Sequence, residues 1–73
     1  MNDEHHLQYI QFTIDKVFSD ARQLEMHYRP IDFGYQMHLY CRGFLVACLN
    51  FNIISLDKFN EFDAYCISNE KGL

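Results

Sequence analysis

The sequence predicts an all-α fold: a three-helix domain with a long N-terminal helix, a buried central helix and a short C-terminal helix, pairing as a homodimer. Three observations lead there. Apolar residues recur at alternating spacings of three and four from Leu7 to Tyr28. Residues 43–49 place no polar side chain on any side of a helix, and a helix apolar all round is an enclosed one. Two short corners, at residues 29–32 and 50–55, carry the residue types that stop and start helices.

The first helix is expected over residues 3–28. Leu7, Ile10, Ile14, Val17, Ala21, Leu24 and Tyr28 fall on one face of it. Asn2 or Asp3 can cap its start, and Asp3 with Glu4 suits the positive end of the helix dipole. At ~1.5 Å per residue such a helix spans roughly 36 Å. A globule of this chain length measures on the order of 29 Å. The helix is therefore expected to lie along a matching helix of a second subunit. Phe12 stands almost opposite the apolar stripe and Tyr9 is well off it. Single exposed aromatics are ordinary; the sharper reading is that this helix meets partners on two sides.

Proline disfavours the helical region for the residue before it, so Arg29 is a boundary ahead of Pro30. Asp32 is the expected N-cap of the second helix, over residues 33–51, with Gly34 weakening its first turn. Met37, Tyr40, Cys41, Phe44, Cys48 and Phe51 share one face, and Leu45, Val46 and Leu49 cover much of the rest. At the second corner Asn52 suits the left-handed conformation that closes a helix. Ser55 then caps a third helix, over residues 56–67, with Ile54 and Phe59 placed as a hydrophobic staple. Leu56, Phe59, Phe62 and Cys66 should face inward, and Asp57, Asn60, Glu61 and Asp63 should face water. Residues 68–73 are expected to fray.

A chain of 73 residues is one domain, and one this small buries only about 60% of its unfolded surface. Its hydrophobic share of 49% and aromatic share of 16% exceed what a single small core hides easily, which favours self-association. Three cysteines do not make a disulfide framework. The N-terminal stretch lacks the basic and apolar regions of a secretory signal, and no apolar run approaches the ~20 residues of a membrane span. The expected location is cytoplasmic, with no membrane partner. The net charge is −4, and Lys16, Arg22, Arg29, Arg42, Lys58 and Lys71 are scattered, so nucleic-acid binding is disfavoured.

The chemistry-bearing residues do not assemble into a reactive pattern. His5 and His6 are neighbours on a helix and point about 100° apart. His38, Cys41 and Cys48 lie on one side of the second helix, and Cys66 on the third completes a nominal set of four metal ligands. Cys41 and Cys48 are two turns apart, roughly 10 Å, too far to share an ion with ~2.3 Å zinc–sulfur bonds. A nucleophilic Cys41 beside His38 would still need an orienting group and an oxyanion site. No catalytic residue, cofactor or metal is expected. The acidic helix after the second corner would also repel DNA in a helix–turn–helix role.

The expected function is therefore that of a small non-enzymatic interaction or regulatory protein. It would self-associate as a dimer and bind an unidentified protein partner, with Tyr9, Phe12, Leu45 and Leu49 as candidate contacts. Small acidic helical proteins of bacterial mobile elements are a class-level analogy. The alternative is a nucleic-acid-linked transcriptional regulator whose dimer gathers Arg22, Arg29 and Arg42 into one patch.

Overall fold

The computed structural model describes residues 3–73 and contains three α-helices, α1 (Glu4–Arg22), α2 (Phe33–Asn50) and α3 (Leu56–Glu70), with a single 3-10 turn at Met26–Tyr28. No strand occurs among the described residues. The expected cap Asn2 lies outside them. Asp3 performs that role, its carboxylate accepting from the backbone N–H groups of His5 and His6. Those two bonds hold the Asp3 carboxyl below its usual range.

α1 ends at Arg22, short of the expected Tyr28. The apolar spacing continues, but Leu24 and Tyr28 stand 39% and 67% exposed. Arg29 instead folds back, and its guanidinium donates to the carbonyls of Leu24 (2.7 Å) and Arg22 (2.7 Å). The Arg22 carbonyl is one that the end of α1 leaves without an intrahelical partner. With 19 residues α1 spans about 28 Å, which fits within the molecule's 41 × 18 × 17 Å extent. The length of this helix therefore gives no reason for a second subunit.

α2 and α3 form an antiparallel hairpin, and α1 lies against both. Asp32 occupies the N-cap position of α2, but its side chain accepts from Gln36 Nε2 at 2.9 Å rather than from a backbone N–H. The corner between α2 and α3 forms as its sequence dictates. Asn52 has φ 60°; its N–H donates to Leu49 O and the N–H of Ile53 to Cys48 O, the paired bonds of a Schellman closure. Ser55 Oγ accepts from Lys58 N–H at 3.3 Å, while Ile54 and Phe59 are both buried in one core.

That core holds Ile10, Ile14 and Phe18 of α1, Cys41, Leu45 and Cys48 of α2, Ile54 of the corner, and Phe59, Phe62 and Cys66 of α3. Phe18 is fully buried although the α1 stripe read from sequence omits it. It stands one turn after Ile14 and two after Ile10, on the same face. The inward face of α2 also differs from the expected one. Tyr40 and Phe51 are 67% and 78% exposed, while Gly34, His38, Cys41, Leu45 and Cys48 turn inward. α2 is apolar on nearly all sides, so the 3.6 period does not mark which side faces the hairpin.

α3 continues to Glu70 instead of fraying after residue 67, and Leu73 packs against the core. Gly34 allows this. A Cβ at that position would run into the backbone carbonyl of Glu70, so only glycine lets the two helix ends approach so closely. Leu56, expected inward, is 59% exposed.

Candidate functional site

Two features stand out on the folded chain: an uncovered face on α2 and a polar cluster where α2 meets α3. The uncovered face runs through Leu39, Tyr40, Gly43, Val46 and Ala47, all exposed, at spacings that keep them on one side over two turns. No atom lies within 4 Å of where a Cβ on Gly43 would stand. Two apolar hollows flank Tyr40 on the α1 side, of 390 and 320 Å³, and Val17 lines both. The central helix is thus enclosed on one side only.

The candidate contacts divide accordingly. Tyr9 and Phe12 are 64% and 62% exposed on α1. Leu45 is completely buried inside its own chain, which removes it as a contact for another molecule. Leu49 is half-buried and packs against the core. Phe12 forms one wall of a 600 Å³ groove between α1 and α3, with Leu7, Phe62 and Tyr65 along it and Glu4, Asp15, Glu61 and Lys58 at its rim. The Tyr65 hydroxyl donates to Asp15 across this groove. That hydrogen bond, with burial adding to it, pushes the phenol up from its ordinary range.

The polar cluster centres on His38. Its Nε2 is bonded to Asp63 Oδ1 at 2.7 Å, and its Nδ1 faces Glu70 Oε2 at 3.5 Å. Arg42 donates to the other Asp63 oxygen at 3.3 Å and stacks over the Phe59 ring, 5.7 Å from its centroid. Asp63 was expected in water. It is 16% exposed, because it sits at the edge of the Phe59–Phe62–Cys66 face and His38 and Arg42 reach it from α2. Glu70, one turn after Cys66, is 25% exposed. Sequence reasoning missed both carboxylates. Their spacing on the inward edge of α3 was the available signal.

The nominal ligand set does not form. Cys41 and Cys66 meet across the hairpin through an S–H···S contact, whereas His38 is occupied by carboxylates. That contact favours charge on Cys41 and pushes Cys66 far up, with burial and the Asp63 and Glu70 carboxylates adding to the rise. Burial also raises Cys48. All three are buried free thiols, and the described residues contain no group of three or more side chains arranged to hold a metal ion. His5 and His6 are exposed.

In comparisons with known proteins, no family model, curated protein or solved structure matches this chain. Among the described residues no helix is long and apolar enough to cross a membrane. The three arginines of the nucleic-acid alternative are engaged within the chain: Arg22 with Asn69, Arg29 with the end of α1, and Arg42 with Asp63.

Proposed function

We propose that this chain is a small, non-catalytic cytoplasmic interaction protein that pairs with a second copy of itself through the uncovered face of α2 and binds a protein partner as that dimer. The observation that carries the reading is the contiguous exposure of Leu39, Tyr40, Gly43, Val46 and Ala47. Monomeric soluble proteins rarely leave contiguous apolar patches of this kind in water. The five residues of the face carry no charge, although the net charge of the chain is −4. A standard interface covers ~800 Å² on each partner. That is about a sixth of the 4987 Å² the chain exposes, and the hollows beside Tyr40 extend the patch onto α1. Phe12 and its groove lie away from this face and remain available to a different partner.

Sedimentation equilibrium between about 1 and 100 μM tests the pairing. The expected mass is twice 8.8 kDa. Val46→Glu should restore the single-chain mass with the helical signal intact, because Val46 lies outside the core, and Phe12→Glu should leave the dimer in place. A wild-type mass of 8.8 kDa throughout, or a dimer indifferent to Val46→Glu, refutes the reading.

A further inference from the structure

His38 is 7% exposed at its side chain and lies between two carboxylates of α3. A neutral imidazole carries one N–H. The 2.7 Å contact with Asp63 requires it on Nε2. Nδ1, left with its lone pair, then stands 3.5 Å from Glu70 Oε2, acceptor beside acceptor, and these are two buried atoms with no hydrogen-bond partner. A second proton changes both atoms at once, since Nδ1–H becomes a donor to Glu70. It also balances the charge, with His38 and Arg42 against Asp63 and Glu70. Buried ion pairs persist when their geometry satisfies both partners, and a lone buried charge is costly.

We propose that the folded chain holds His38 as an imidazolium clamped between Asp63 and Glu70, and that this proton fastens the last turn of α3 to the start of α2. Position supports the role. Glu70 ends α3, its carbonyl lies against Gly34, and Leu73 beyond it packs into the core. The groups that meet the ring are Tyr35 on α2 and Asp63 and Glu70 on α3, and Arg42 of α2 joins them through Asp63. Arg22 of α1 reaches the same end of α3 through Asn69. Because the folded state binds one proton more than the unfolded chain, stability falls as pH rises. The fall begins where a histidine in the unfolded chain gives up its proton, from about pH 6 upward.

Glu70→Gln separates this device from ordinary packing, because a glutamine amide donates to the Nδ1 lone pair of a neutral ring and needs no proton. Urea unfolding from about pH 6 to 9 should show the wild-type folding constant falling by up to about tenfold per pH unit relative to Glu70→Gln. His5, His6 and His27 are exposed and present unchanged in both proteins. Parallel profiles would overturn the proposal. A nitrogen-15 spectrum of the wild-type ring near about pH 7 is independent of the variant. Two protonated nitrogens on His38 are expected, and a single N–H tautomer would also overturn it.

Discussion

The same substitution in the same helix should have opposite effects at Gly34 and Gly43. Both glycines lie in α2 with φ outside the left-handed region, so alanine suits the backbone at either place. At Gly43 an added methyl meets nothing within 4 Å. Only helix propensity changes, and alanine should stabilise by about 1 kcal/mol. At Gly34, the second residue of α2, the propensity gain is smaller, and the methyl collides with the Glu70 carbonyl and sits 3.1 Å from Glu70 Cβ. The obstacle is backbone, which cannot swing aside as a side-chain tip does. Overpacking costs about 1–3 kcal/mol, so Gly34→Ala should lose roughly 1–2 kcal/mol net. For a domain of this size each kcal/mol shifts Tm by about 4–8 °C. Thermal melts followed by circular dichroism, at concentrations where the chain is single, resolve shifts of that size. A Gly34→Ala protein that melts at or above wild type would refute the close approach of the two helix ends.

Two further perturbations probe the core and the corner. Phe18→Ala should cost about 3–5 kcal/mol in urea unfolding, because the ring is fully buried, whereas Phe12→Ala, on a ring 62% exposed, should change stability by under about 0.5 kcal/mol; equal effects would mean that α1 is rotated. Ser55→Ala should lower stability by about 1 kcal/mol through loss of the bond from Lys58 N–H, and Ser55→Asp should hold it; a melt that rises on alanine substitution would mean that α2 and α3 form one continuous rod.

The sequence by itself determined what depends on a few neighbouring residues. Asp3, Asn52 and Ser55 act as caps because their side chains or backbone conformations satisfy helix ends within three or four positions. Ile10, Ile14 and Ala21 of α1 and Phe59, Phe62 and Cys66 of α3 are buried where their period placed them, because polar residues mark the opposite face of each helix. Tertiary structure decided what local pattern leaves open. α1 stops at Arg22 although the spacing of Leu24 and Tyr28 is helical, and Arg29, seven residues on, folds back onto the carbonyls of Arg22 and Leu24. α2 is apolar around most of its circumference, so its neighbours alone chose Leu45 for the core and left Tyr40 and Val46 outside. Asp63 and Glu70 look like solvated charges in sequence and become partners of a buried histidine only once the hairpin closes. The His38–Asp63 contact joins residues 25 positions apart, and a single glycine at position 34 permits the close approach of Glu70 at the other end of the cluster.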